Sequence, residues 1–243
     1  MSRAERLNRK AHGILEHVAR YQLSFEESIR RTFYPDKSLQ AVRSSLGRLA
    51  SPDGHKHLIS RLHDGIRYFQ IAALGAECLG LPRRSPPRLT PAQFHEAIAV
   101  LWFCRMNTTE RRRLPFPALT KIFPGLPLDR PYCSAVKWDD QATVYRVYAR
   151  PQENPIHCIA AEADRLSQTP ETARYLTDPA EPLAFAALVE SSAALDQAKQ
   201  QLRQMQLPIP ILVEVAATPA TVREMLEAAT PVQTTTERDT LST

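Results

Sequence analysis

The sequence predicts a mixed α+β protein, with a helical and basic first part and a second part in which strands alternate with helices. In the first part, apolar residues recur at helical spacing, and Asp64–Gly65 gives a strong turn signal between two strand-like runs. From residue 142 onward, β-branched and apolar runs alternate with helical segments. The chain has 243 residues, more than the roughly 100 to 200 of a usual single domain, so we expect two domains.

The first 50 residues predict three short helices. Apolar residues at helical spacing place the first helix over 11–21. Ser24 stands three residues before Glu27, which is the pattern of a capping box, and predicts a second helix that ends before Pro35. A narrow apolar stripe predicts the third helix over 39–49.

The polar face of the third predicted helix carries amides, hydroxyls and arginines but no carboxylate. Such a face suits phosphates and base edges, because Arg bonds bidentately to guanine and Gln to adenine. An ordinary solvated helix is the alternative interpretation. The candidate groove-facing residues are Lys37, Gln40, Arg43, Ser44 and Arg48.

A basic β-hairpin is predicted over residues 58–71, because strand-forming residues flank Asp64–Gly65 and Gly accepts a positive φ. Arg61, His63 and Arg67 flank its tip and suit phosphate contacts, which give affinity and salt dependence more than sequence choice. A short helix is predicted to follow the hairpin and to end at Gly80.

Residues 81–91 contain four prolines and three arginines and predict a semi-rigid linker. A helix is expected over 94–106. The run Arg111–Arg113 either extends a polyanion-facing surface or is simply solvated.

The remaining chain predicts a small α/β layer followed by a tail, 230–243, which is too polar to bury and is expected to be disordered. The run 182–190 is ambiguous between strand and helix. The other predicted elements are a strand over 142–149, helices over 155–166, 171–176 and 193–205, a buried strand over 209–216 and a helix over 219–228.

Charge is distributed unevenly along the chain. Residues 1–150 carry 25 Lys and Arg against 13 Asp and Glu, a net +12, whereas residues 151–243 carry 6 against 13, a net −7. This asymmetry predicts that the first part meets a polyanion and that the second part does not touch the same nucleic acid, since like charges repel. A solvated basic surface is the plainer alternative.

Several function classes lack their sequence signals. There is no apolar run long enough to cross a bilayer and no secretory signal, so we expect a cytoplasmic protein with no membrane contact. The four cysteines form no C-x-x-C pair, and reduced thiols are expected. His55, His57 and His63 could be imagined as a metal cluster, but a solvated or DNA-facing role is favoured. We expect no metal and no cofactor.

The order of elements over residues 11–80 resembles a winged helix-turn-helix domain, in which the third helix enters the major groove and the hairpin follows the backbone. The segments "LQAVRSSLGRLA" and "YFQIAALGAECLG" are similar to those of the replication-relaxation family of plasmid and mobile-element proteins. In that family such a domain is joined to an α/β domain related to restriction endonucleases. One departure is that Ala72–Ala73 stands where Thr often caps the helix after the hairpin, so that cap must be supplied otherwise.

The resemblance implies a winged-helix DNA-binding domain over 1–80, the linker 81–91, and an α/β domain over 92–229 that forms a homodimer or docks a protein partner. The implied function is sequence-specific binding of double-stranded DNA, by a regulator or a maintenance or mobilisation factor of a plasmid, phage or transposable element. The competing class is a protein-interaction subunit of a defence or transposition complex with weak DNA contact.

A metal-dependent nuclease is the third class, because restriction-type enzymes use an acid and an E-x-K motif on adjacent strands. Glu214–Ala216 offers E-x-A on a suitable strand, and Lys199 lies on the preceding helix rather than in the motif. We therefore expect no enzymatic activity and predict no catalytic residues.

Overall fold

The computed structural model describes residues 7–51, 56–106, 110–136, 142–150, 153–177 and 183–229. It is a mixed α+β structure, as the sequence predicts. The predicted disordered tail and His55 lie outside the described residues. Within the described ranges, no helix combines the length and the apolar character needed to cross a membrane.

Three helices open the chain: α1 (Arg9–Tyr21), α2 (Glu26–Phe33) and α3 (Leu39–Ala50). Asn8 caps α1 and Ser38 caps α3, each by accepting a hydrogen bond from a backbone N–H of the first turn. Their apolar stripes meet in one core, together with residues from the following hairpin. This core contains Ile14, Leu15, Val18, Ile29, Val42, Leu46, Leu58 and Phe69.

The predicted capping box at Ser24 is wrong. Ser24 exchanges two backbone hydrogen bonds with Phe69 of the hairpin, N to O at 3.1 and 2.8 Å, so its backbone is extended and pairs with a strand. Its hydroxyl bonds Ser28 and His17 instead of a helix N–H, and α2 begins at Glu26 without a side-chain cap.

The hairpin consists of β1 (Leu58–His63) and β2 (Ile66–Ile71), joined at the predicted turn. Asp64 and Gly65 both have positive φ, 46° and 79°, as a two-residue turn of this kind requires. α4 (Ala73–Cys78) follows directly. The cap that Ala72 lacks comes from Ser85, whose Oγ accepts from the backbone N–H of Ala73 at 3.1 Å.

Residues 81–90 form neither helix nor strand, and α5 (Pro91–Leu101) begins after a capping box of Thr90 and Gln93. The predicted helix over 94–106 is confirmed, and its last turn, Trp102–Met106, is π-helical. Next come β3 (Arg111–Arg113) and α6 (Phe116–Ile122), neither of which we predicted from the sequence.

The second part contains a mixed sheet whose strand order follows the chain, β3-β4-β5-β6-β7. Its first pairings, β3–β4 and β4–β5, are antiparallel, and β5–β6 and β6–β7 are parallel. Parallel neighbours need a crossover, which the intervening helices supply. The bounds are β4 (Tyr132–Val136), β5 (Ala142–Tyr148), α7 (Pro155–Ser167), α8 (Pro170–Thr177), β6 (Leu183–Val189), α9 (Ser192–Met205), β7 (Ile211–Val215) and α10 (Pro219–Ala228).

The ambiguous run is strand β6, and all seven of its residues are buried because it lies inside the sheet. The prediction that the last strand is buried is wrong: β7 forms the edge of the sheet, its first four residues are half-buried, and Val215 is exposed.

The two parts share one apolar core. Tyr21, Phe25 and Tyr68 of the first part cluster with Phe94 of α5 and Val222 of α10, together with inward residues of the sheet. A second core on the other face of the sheet is formed with α7, α8 and α9. The hairpin is therefore packed against the second part, and the domain boundary at residues 81–91 stays a prediction.

Candidate nucleic-acid interface

The outer face of α3 is exposed and free of carboxylates over its whole length. Gln40, Ser44 and Arg48 are exposed along it, and Lys37 is exposed just before its start. The Ser44 hydroxyl donates to the carbonyl of Gln40, one turn earlier, at 3.1 Å. The structure thus brings four of the five predicted groove-facing residues to one polar surface.

Arg43 differs from these four residues because it is ion-paired. Its Nε lies 2.6 Å from Oε2 of Glu26, the first residue of α2, and its side chain is 34% exposed. The carboxylate of Glu26 is largely buried, and a helix N-terminus stabilises a negative charge there. Arg43 is thereby fixed between α2 and α3.

The same carboxylate also reaches the hairpin. Nη1 of Arg67, on β2, lies 3.9 Å from Oε1 of Glu26, and the Arg67 side chain is 63% exposed. Glu26 therefore links α3 to β2 through two arginines. We call Glu26, Arg43 and Arg67 the Glu26 cluster.

A groove of about 440 Å³ lies beside the Glu26 cluster and is bounded on its far side by α10. Arg223 of α10 lines this groove, and its Nε donates to the carbonyl oxygen of Asp64 at the hairpin turn, at 3.1 Å. Sequence reasoning missed Arg223, because 159 positions separate it from Asp64 and no local pattern connects them. The acidic second part thus places one arginine beside Arg43 and Arg67.

The other two hairpin candidates do not join this surface. Nη2 of Arg61 donates to the carbonyl of Pro86 at 3.0 Å, and the His63 ring packs on Phe94 with ring centroids 4.3 Å apart. Both lie on the strand face that packs against α5 and residues 81–90, whereas Arg67 projects from the opposite face. The period-2 alternation of the hairpin was the signal that could have separated them.

Glu27, which follows Glu26, is held by arginines of its own helix. It accepts hydrogen bonds from Arg30 and Arg31 at 2.7 Å each. The bond from Arg30 is the main cause that holds the pKa of Glu27 below its ordinary value, against the opposing effect of burial. These ion pairs within α2 thus stabilise the helix that carries Glu26.

The basic run Arg111–Arg113 does not form the solvated surface that we considered from the sequence. Arg111 and Arg113 are buried, because β3 pairs with β4 and turns alternate side chains inward. Nη1 of Arg111 lies 3.0 Å from Oε2 of Glu214. Only Arg112 of this run is exposed.

The Arg111–Glu214 ion pair is relevant to the nuclease alternative, because Glu214 was the candidate metal ligand of such a nuclease. The carboxylate of Glu214 is bonded by both Nη atoms of Arg111. Over the described ranges, no group of three or more His, Cys, Asp or Glu side chains is placed to hold a metal ion.

Comparisons with known protein families, curated proteins and solved structures find no match to this chain. Its function is therefore inferred from its own geometry.

Proposed function

We propose that this protein binds specific sites on double-stranded DNA, with α1–α3 and the hairpin acting as a winged helix-turn-helix unit. The Glu26 cluster is the observation that carries the proposal. It fixes an exposed, carboxylate-free helix face next to a hairpin arginine that is 63% exposed, as a reader of the major groove and the adjacent backbone requires.

We assign base contacts to Gln40, Ser44 and Arg48, which are exposed on α3. Gln40 suits adenine and Arg48 suits guanine. Arg43 positions α3 and must leave Glu26 before it could bond a base, so its effect on DNA binding is mainly indirect. Lys37 and Arg67 are assigned to phosphates.

The second part holds the hairpin in place through α5 and α10 and provides the surface for a homodimer or a protein partner. We also assign Arg223 of α10 to the phosphate-binding edge at the hairpin tip, which departs from our expectation that the acidic second part does not touch the DNA. Glu227 of the same helix also lines this groove. We propose a binding role without a catalytic step, in regulation, maintenance or mobilisation of a plasmid, phage or transposable element.

Fluorescence anisotropy with a labelled duplex, titrated at several salt concentrations, tests this proposal. Phosphate contacts predict that log affinity falls linearly with log salt, by about 0.9 per contact, so Arg67→Gln should lower the slope by about one. Arg203→Gln, an exposed arginine on α9, is the matched control and should leave the slope unchanged.

Two results would overturn the proposal: no measurable affinity for duplex at low salt, or an affinity that does not change with salt. A protein-interaction subunit would give the first of these results, because its binding energy lies in an apolar protein interface and not in phosphate contacts.

A further inference from the structure

A pocket of about 550 Å³ lies between the first part and the sheet. It is bounded by α1, the end of α2, the π-helical turn and β3, and it shares no lining residue with the groove beside the Glu26 cluster. Its volume falls within the range of roughly 300 to 1,000 Å³ that small-molecule sites occupy.

Four arginines line this pocket: Arg20, Arg105, Arg111 and Arg112. The charge of Arg111 is balanced by Glu214, but the other three form no ion pair with any residue in the part of the chain that the structure describes. Glu16 and Glu110 also line the pocket, and Glu16 lies 3.5 Å from His12.

The positive groups repel one another. Burial, followed by repulsion from Arg112, lowers the pKa of Arg20, against the smaller opposing effects of Tyr21 and Glu16. Burial, followed by repulsion from Arg105 and Arg20, lowers the pKa of His17, which also lines the pocket, to about 3. A negatively charged ligand would relieve this repulsion.

Two of the lining arginines have different roles. The π-helical turn Trp102–Met106, at the end of α5, places the exposed Arg105 at the pocket. The guanidinium of Arg111 instead lies over the Phe103 ring, 4.0 Å from its centroid, and is bonded to Glu214, so Arg111 forms part of the pocket wall.

We propose that this pocket binds the phosphate group of a small organic phosphate of mononucleotide size. Guanidinium groups match phosphate oxygens bidentately, and Arg105 and Arg112 are exposed enough to close on them. The Thr32 hydroxyl lines the same pocket and supplies a further donor, while Phe33 offers an apolar surface to the organic part.

Isothermal titration calorimetry at constant ionic strength tests the pocket with three probes: adenosine monophosphate, inorganic phosphate and adenosine. We expect the monophosphate to bind most tightly, phosphate more weakly and adenosine not at all. Arg105→Gln and Arg112→Gln should each weaken monophosphate binding about tenfold or more, and Arg203→Gln should not. Both pocket residues are exposed, so melting temperatures should confirm that the variants fold.

Absence of binding by both phosphate-bearing probes would overturn the proposal, as would binding that neither arginine substitution weakens. If Arg112→Gln instead weakens duplex binding while the monophosphate does not bind, the pocket is part of a DNA-backbone surface and the proposal is wrong. These outcomes are independent of whether α3 reads DNA, because the two sites share no lining residue.

Discussion

The Nε atom of Arg43 lies 2.6 Å from Oε2 of Glu26, so the arginine best suited by sequence to read a guanine is engaged within the protein. The pair joins the start of α2 to the middle of α3. Arg67 of the hairpin lies 3.9 Å from the other oxygen of Glu26, so both arginines of the Glu26 cluster approach one carboxylate. The hairpin itself is held by its backbone pairing with Ser24 and by its core contacts.

Removing Arg43 should therefore destabilise the fold as well as weaken DNA binding. Arg43→Ala leaves a largely buried carboxylate poorly compensated, and we expect the free energy of unfolding to fall by about 1–2 kcal/mol. Arg48→Ala removes an exposed arginine from the same helix and should change stability by less than about 0.5 kcal/mol. Urea denaturation of both variants checks this, and equal stabilities would contradict the role of Arg43 as a positioning residue.

The hairpin turn and α3 offer a matched pair of glycines. Gly65 has a φ of 79°, so Gly65→Ala strains the backbone and should lower the free energy of unfolding by about 1 kcal/mol. Gly47, on the outer face of α3, has no atom within 4 Å of an added Cβ, so Gly47→Ala should stabilise the protein by about 0.5–1 kcal/mol. Denaturation midpoints that shift in the same direction would contradict the geometry of one of these positions.

Burial of His17 predicts a dependence of stability on pH. Because its folded pKa of about 3 lies below the unfolded value of 6.5, the unfolded chain takes up the proton first as pH falls. Stability from the neutral ring is complete above pH 6.5 and is lost toward pH 3, by up to about 1.4 kcal/mol per pH unit. His17→Gln should flatten the curve between about pH 6.5 and pH 5, above most carboxylate titrations. The free energy of unfolding is measured by urea titration at each pH. If its dependence on pH were the same in His17→Gln as in the wild type, a buried neutral His17 would be ruled out.

Arg146 of β5 is fully buried beside the hydroxyl of Tyr148, at 3.2 Å, and Glu162, at 3.3 Å. Arg146→Ala leaves these groups without their buried partner and should lower the free energy of unfolding by about 3–5 kcal/mol. Arg165→Ala removes the exposed partner of the same Glu162 and should cost less than about 1 kcal/mol. Chemical denaturation of the two variants measures the difference. Similar decreases in the free energy of unfolding would show that Arg146 does not stabilise the sheet.

Local sequence signals predicted much of the first part. Asp64–Gly65 specifies its own turn, and the stripe containing Val42 and Leu46 specifies the inner face of α3, because both depend on neighbouring residues alone. The missing cap at Ala72 was also visible in the sequence. Its replacement by Ser85 was not, because that contact spans an irregular segment.

The parts that sequence reasoning missed depend on tertiary contacts. Ser24 pairs with Phe69 rather than capping α2, and Arg111 of one edge strand forms an ion pair with Glu214 of the opposite edge strand. The apposition of Arg223 and Asp64 likewise follows from how α10 packs on the hairpin. None of these contacts has a periodic signal, so propensity alone could not have located them.

Selection of bound fragments from a random duplex pool, followed by sequencing, tests the central claim most directly. The account predicts that the wild-type protein enriches a defined motif and that Gln40→Ala with Arg48→Ala relaxes base preference within it, at a cost of about 1–3 kcal/mol per lost contact. A palindromic motif with half-sites about one helical turn apart would also establish a two-fold dimer. A pool that stays unenriched after repeated rounds, or a motif that the double variant leaves unchanged, would contradict the assignment of α3 as the reader of DNA sequence.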